Sequence, residues 1–242
     1  MPFVGVLQPV PEIGAAVREY NQANGTQFYM HSDAAQAIGK IQVNVKQLNA
    51  DYLTIVGHKF YGPRIGAMYV RGLGHPNGAP LKPTFYGGGQ ERGYRAGTEN
   101  TAMIAGLGKA CELVTLNISS YEAHMRKVRD YLESRLSEEF PGLSFNGRTY
   151  QSERLPNTSS MSIHIDKVSG RDILVNCQSL IAGVGAACHS AASAGSVILL
   201  ASGIESEKAR TAIRLSVGRE TTKCDIDKVV ADLAQALHKS IT

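Results

Sequence analysis

Two short apolar runs in this chain end abruptly in ionisable residues. Gln27-Phe28-Tyr29-Met30-His31 runs directly into Ser32-Asp33, and Asp51 to Val56 runs directly into Gly57-His58-Lys59. Short runs rich in aromatic and β-branched residues predict strands. A third, Ile65 to Val70, carries small residues that suit a tightly packed sheet. Ahead of them, Glu12 to Asn24 repeats its apolar residues (Ile13, Val17, Tyr20) with helical period and stops at Asn24-Gly25. Helix followed by strands that end in polar residues predicts an α/β layer with ligands at the strand ends.

The rest of the chain divides in two. Gly87-Gly88-Gly89-Gln90-Glu91-Arg92 is too flexible for helix or central strand. Thr98 or Asn100 then caps a helical region from about Thr101 towards Phe140, which Ser119-Ser120 is expected to break into two helices. Beyond Pro141-Gly142 the pattern changes. Strands are predicted at Leu143 to Phe145, Ser160 to Ile165 and Ile213 to Val217, with helices at Arg171 to Leu180 and Cys224 to Lys239. The expectation is a larger α/β domain over residues 1–115 and a smaller α+β domain over 116–242.

Composition narrows the function classes. The 242 residues allow a substantial core, and the 43% hydrophobic and 19% charged fractions are those of an ordinary globular protein. A formal charge of +4, without basic runs interleaved with aromatics, argues against a nucleic-acid partner. No apolar stretch has spanning length, so no membrane role is expected. The opening residues have no signal-peptide pattern, which makes the cytosol the default expectation. Cys111, Cys177, Cys188 and Cys224 show no CxxC spacing, so neither a disulfide framework nor a metal site is expected. Cys188-His189 lacks a second pair of ligands nearby.

The chemistry begins with Asp33 and Lys59. Each follows a short strand, so each is expected at a carboxyl edge of one sheet. An amine there, if partly buried, becomes a usable nucleophile. An acid and an amine converging suit a pyridoxal phosphate site, in which the lysine forms the Schiff base and the carboxylate keeps the ring nitrogen protonated. By spacing alone, a structural ion pair at the rim of the sheet accounts for the two residues better. Arg214, read alone, serves equally as a solvated strand-end charge. Cys188 lies in a small-residue stretch, Ala182 to Ala194, that could be a mobile loop delivering a thiol. The alternative for it, and the reading adopted for the other three cysteines, is a buried free thiol.

Longer words change that balance. His31-Ser32-Asp33-Ala34-Ala35-Gln36 and Gly57-His58-Lys59-Phe60-Tyr61-Gly62-Pro63 resemble cofactor segments of the cysteine desulfurase and selenocysteine lyase family. So do Gly87 to Arg92 with Arg95-Ala96-Gly97-Thr98-Glu99-Asn100, Gly185-Ala186-Ala187-Cys188-His189-Ser190, and Ile213 to Arg219. Five motifs in the family's order are a far stronger signal than any one of them. The resemblance implies fold type I of the pyridoxal 5'-phosphate-dependent transferases, with a small-molecule amino-acid substrate. It implies that Asp33 pairs with the pyridine nitrogen, Gln36 bonds the phenolic oxygen and His58 reaches the phosphate. Lys59 becomes the Schiff-base and proton-transfer residue. Thr98 reaches the phosphate of a neighbouring subunit, which implies a homodimer. Arg214 grips the substrate carboxylate. Cys188, on a loop that could deliver a thiol to the substrate, defines the chemistry, and a selenium acceptor protein is a further expected partner.

Selenium is favoured over sulfur. Many desulfurases carry a serine three residues before the lysine, where this chain has Val56, which cannot donate a hydrogen bond. The expected reaction is removal of selenium from L-selenocysteine with release of L-alanine. The alternatives are a desulfurase that forms a persulfide on Cys188, or a non-catalytic chain that dimerises with a longer relative. The resemblance also places the start of the family's large domain upstream of Met1. On that ground the expectation is an incomplete large-domain sheet, weak cofactor binding and little turnover.

Overall fold

The structure, a computed structural model, describes residues 3–148, 153–165, 168–184 and 197–241. It divides into two compact units. One is Pro9–Ser119; the other joins the segment up to Gln8 to everything from Ser120 onward.

In the first unit, helix α1 (Val10–Asn24) ends where Gly25 adopts a left-handed conformation, its N–H donating to Asn21. A three-stranded sheet follows in the order β1 (His31–Asp33), β2 (Tyr52–Val56), β3 (Gly66–Val70). β1 and β2 are parallel, with His31 opposite Tyr52 and Asp33 opposite Thr54, whereas β2 and β3 are antiparallel.

The first strand starts later than its residue types predict. The chain reaches β2 only at Met30, whose carbonyl accepts from the Asp51 and Tyr52 N–H groups at 2.9 and 3.0 Å, and side chains bond much of the remaining backbone here. Asn21 accepts from the Phe28 N–H at 2.8 Å and donates to the Phe28 carbonyl at 2.9 Å, while the Met30 N–H donates to Asp51 at 2.8 Å. Strand propensity without a partner ladder does not make a strand.

Asp51, with no exposed surface, ties together the amino end of this layer. It bonds Arg18 of α1 and Arg71, which follows β3, at 2.7 Å each. The opposite, carboxyl edge of β1 and β2 is thereby left for other work.

Helix α2 (Thr101–Glu139) is continuous through Ser119 and Ser120, against the expected break. The Asn100 side chain caps it by accepting from the Met103 N–H at 3.3 Å. Serine costs a helix interior only about half a kcal/mol relative to alanine, and packing outweighs that cost. Leu107 and Ala110 join Phe60 in one cluster, and Met125, Val128, Leu132 and Leu136 join the core of the second unit.

The second unit is an antiparallel sheet, β4 (Ser144–Asn146), β5 (Thr158–Ser162) and β6 (Ile213–Ser216), in that order. Four short or long helices accompany it: α3 (Gly170–Asn176), α4 (Val197–Ala201), α5 (Ser206–Thr211) and α6 (Lys223–Ile241). The inward residues of β6, Ile213 and Leu215, pack with Ile226, Val230 and Leu233 of α6 and with α2. Central β5 is wholly buried although built mainly of Thr and Ser. Its hydroxyls are satisfied from neighbouring elements: Ser159 donates to Glu133 at 2.8 Å, and Asn146 donates to Ser160 and Ser162 at 3.2 and 2.9 Å. Arg171 to Leu180 was too long an expectation for α3. Capped by Ser169 and Asp172, it ends at Asn176, because the Asp232 carboxylate captures the following amides.

Candidate active site

Because β1 and β2 run in the same direction, their last residues share one sheet edge. Asp33 closes β1 and is exposed there, with one carboxylate oxygen accepting from the Ala35 N–H at 2.9 Å. A tight turn follows. The Ala37 and Ile38 N–H groups donate to Ala34 at 3.0 Å, and half-buried Gln36 sits on this turn.

At the same edge β2 runs into a 3-10 turn, Gly57–Phe60. The two ends of the turn are buried and its two middle residues, His58 and Lys59, are exposed. Gly57 is fixed by donating to Ile65 at 2.8 Å, and a β-carbon there would meet the carbonyls of Pro63 and Ile65 at 2.7 and 2.8 Å. Phe60 is sealed against Leu107 and Ala110 of α2. The lysine turn is thus pinned at both ends and presents the His58 and Lys59 side chains outward.

One residue that sequence reasoning missed stands directly behind it. Lys40 is 7% exposed, and its ammonium donates to the main-chain carbonyl of Lys59 and, at 3.2 Å, to that of Ile38. Burial first, and the charge of Lys59 second, lower Lys40 to about 8. The signal in the sequence was a lysine inside a stretch, Ala34 to Ile41, that apart from Gln36 is otherwise small and apolar.

Thr98 is exposed, two residues before the cap of α2. The preceding Gly97 N–H donates to the Gln90 side chain at 3.1 Å, which links the two halves of the glycine-rich word. Within that word Glu91 and Arg92 both take left-handed conformations, with φ of 52° and 58°. Such conformations cost about 1 kcal/mol or more for residues with a β-carbon.

In the second unit Arg214 lies on the face of β6 opposite Ile213 and Leu215. Its Nε is buried without a hydrogen-bond partner among the described residues. Cys188 and His189 lie outside the described residues. The segment leading towards them is held by Asp232 of α6. The Asp232 carboxylate accepts from the amides of Gln178, Ser179 and Leu180 at 2.9, 2.7 and 3.1 Å, and from the Ser179 hydroxyl at 2.8 Å. Burial pulls the Asp232 carboxyl up, but these donors outweigh it and hold it below the usual carboxylate range. Of the other cysteines, expected as buried free thiols, Cys111 and Cys177 are only half-buried. Cys224 is exposed, against that reading, since it lies on the first turn of α6.

The structure therefore brings Asp33, Gln36, His58 and Lys59 to one edge of one sheet. An exposed primary amine, a carboxylate and an amide on adjacent strand ends match the aldehyde, the pyridine nitrogen and the phenolic oxygen of pyridoxal 5'-phosphate. The donor set fits that cofactor.

The chain belongs to the aminotransferase class-V family, whose model matches residues 3–229, and pyridoxal 5'-phosphate is the cofactor of that family. Its architecture is fold type I of the pyridoxal-phosphate transferases. A NifS-like protein from Rickettsia africae superimposes with a TM-score of 0.79 at 30% identity, over 99% of this chain and 59% of that one. In sequence the chain is 56% identical over 241 residues to the selenocysteine lyase of Bos taurus, covering 97% of this chain and 55% of that relative. It is 37% identical over 239 residues to a cysteine desulfurase IscS of Clostridium botulinum, covering 98% of this chain and 57% of that one. The chain thus spans little more than half the length of these relatives.

Proposed function

We propose that this chain carries the lysine-bearing part of an enzyme that removes selenium from L-selenocysteine and releases L-alanine. The observation behind the choice of selenium is the gap between 56% identity to a selenocysteine lyase and 37% to a cysteine desulfurase over nearly the same residues. Val56 supports it, being a half-buried strand residue paired with Gly66 and offering no hydroxyl at that position.

When bound, pyridoxal 5'-phosphate supplies an aldehyde for the amino group and a ring that withdraws electrons from the α-carbon. The Asp33 carboxylate accepts the pyridine N–H and keeps the ring cationic. Gln36 donates to the phenolic oxygen, and His58 binds the phosphate. The Lys59 amine would hold the cofactor through its aldehyde and would serve as the base for the substrate α-proton. Arg214 pairs with the substrate carboxylate, a partner for its Nε that the described residues do not supply. For L-alanine to be released, the electron pair of the carbon–selenium bond must stay with the β-carbon, which takes a proton, so selenium would pass to the Cys188 thiolate as a selenenylsulfide, from which an external thiol reductant frees selenide. A carbon–selenium bond is weaker than a carbon–sulfur bond, so this transfer asks less of that cysteine. The same reading makes the working unit a cytosolic homodimer, with exposed Thr98 reaching the phosphate held by the other copy, and passes selenium to an acceptor protein.

The test starts with the purified chain, pyridoxal 5'-phosphate and borohydride, followed by peptide mapping. The adduct is expected on Lys59 and should vanish in Lys59→Ala. On a chain extended to the length of its relatives and supplied with a thiol reductant, selenide release should then exceed sulfide release on matched substrates. An adduct on another lysine would remove the assignment, and preferential sulfide release would replace it with the desulfurase reading.

A further inference from the structure

Lys40 is a cation enclosed by protein without a carboxylate beside it. Its ammonium bonds only main-chain carbonyls among the described partners, those of Lys59 and Ile38. Such an arrangement is poor value for folding alone: a buried ammonium loses its hydration, and an apolar residue of the same length fills the space without that loss. The environment registers the strain, since burial and the neighbouring Lys59 charge bring Lys40 down to about 8.

The surroundings show what the cation is held against. The turn carrying Lys40 is pressed onto the lysine turn, and a β-carbon on Gly39 would lie 2.6 Å from that of Phe60. Phe60 fixes one side of Lys59 through the core, and Gly57 fixes the other through its bond to Ile65. Between these anchors Lys40 takes the Lys59 carbonyl. A peptide plane held by its carbonyl fixes the direction in which the α-carbon projects its side chain.

We propose that Lys40 is a positioning residue for Lys59, its ammonium clamping the Lys59 carbonyl so that the Lys59 amine is presented at the sheet edge. The inference rests on the assignment of Lys59 above and adds a function for a residue that touches neither cofactor nor substrate.

The experiment labels the full 242-residue chain with pyridoxal 5'-phosphate and cyanoborohydride under limiting conditions. Peptide mapping then gives the share of adduct on each lysine, beside a thermal unfolding curve. In the wild type, Lys59 should dominate and Lys40 should stay unlabelled because its amine is engaged. In Lys40→Met, the Lys59 share should fall by about fivefold against the other lysines, the worth of one hydrogen bond of ordinary strength. The unfolding midpoint should hold or rise. A structural residue would instead lower the midpoint and raise labelling everywhere. An unchanged Lys59 share, a Lys40→Met chain that does not fold, or a wild-type Lys40 that labels as fast as exposed lysines would each overturn the proposal. A wild-type adduct away from Lys59 would instead remove the underlying assignment, so the two failures are distinct.

Discussion

Arg214 and Gly183 exchange both of their main-chain hydrogen bonds, Arg214 N–H to Gly183 at 2.7 Å and Gly183 N–H to Arg214 at 3.3 Å. On its other side Arg214 is in register with Ser160 of β5. The backbone of Arg214 is thus fixed from both edges of β6, and its Nε is buried without a partner among the described residues. A guanidinium placed this way is pre-organised for a carboxylate. Arg214→Lys should therefore raise the substrate concentration for half-maximal rate by about 10- to 100-fold, the range for a charge-assisted hydrogen bond. The unfolding curve should not move. Steady-state kinetics on the two proteins decide this, and an unchanged KM would rule Arg214 out as the carboxylate grip.

Glu133, 1% exposed, receives Arg154 in a two-pronged contact at 2.7 and 3.1 Å, together with Ser159 at 2.8 Å. Arg148 also reaches it, but from solvent, and adds little. Glu133→Gln leaves the mostly buried Arg154 without a counter-charge. A loss of about 3 kcal/mol is expected, read as a lower urea midpoint with an unchanged slope.

Asp51 predicts a pH dependence. Burial pulls its carboxyl up, but Arg18, the Met30 amide and Arg71 outweigh burial, so its folded value lies below the unfolded one of about 3.9. Between those two values the unfolded chain binds the extra proton, so stability rises with pH there. The contribution is complete above about pH 4 and disappears as pH falls through the folded value. The stability difference between wild type and Asp51→Asn should be constant near neutrality and shrink only in acid, as denaturant titrations at several pH values would show. A difference that shrinks on the alkaline side would contradict the assignment.

Gly39 has φ of 78° and stands where a β-carbon would come within 2.6 Å of that of Phe60. Gly39→Ala therefore meets both a conformational and a steric cost, together about 2 kcal/mol or more. Amide hydrogen exchange should locate the loosening at the Gly57–Phe60 turn. Full protection of that turn in a folded Gly39→Ala chain would show that the close approach is dispensable.

Much of the site could be read in the amino acids. The words around Asp33 and Lys59 are local, and each residue's role follows from standing at the end of its own short strand. Lys40 was not legible in the same way. Its importance comes from a contact with a residue 19 positions away, made only when the two turns close on each other. Asp232 is a similar case, since its amide partners lie more than 50 positions earlier on a different element. The strand that began late and the helix that did not break have the same origin. Phe28 and Tyr29 had strand-forming types and no strand ladder among the described residues, while Ser119 and Ser120 had weak helix propensity inside a helix anchored in both halves.

By itself, the sequence determined periodicity, stop signals and the chemical identity of the groups at each strand end, because these depend on residues within a few positions of one another. Tertiary structure decided which backbone groups found partners, which charges were buried, and which turn was pressed against which. Those outcomes depend on desolvation and on distances between segments remote in the chain. For that reason the lysine at 59 could be named from its neighbours, and the lysine at 40 only from the fold.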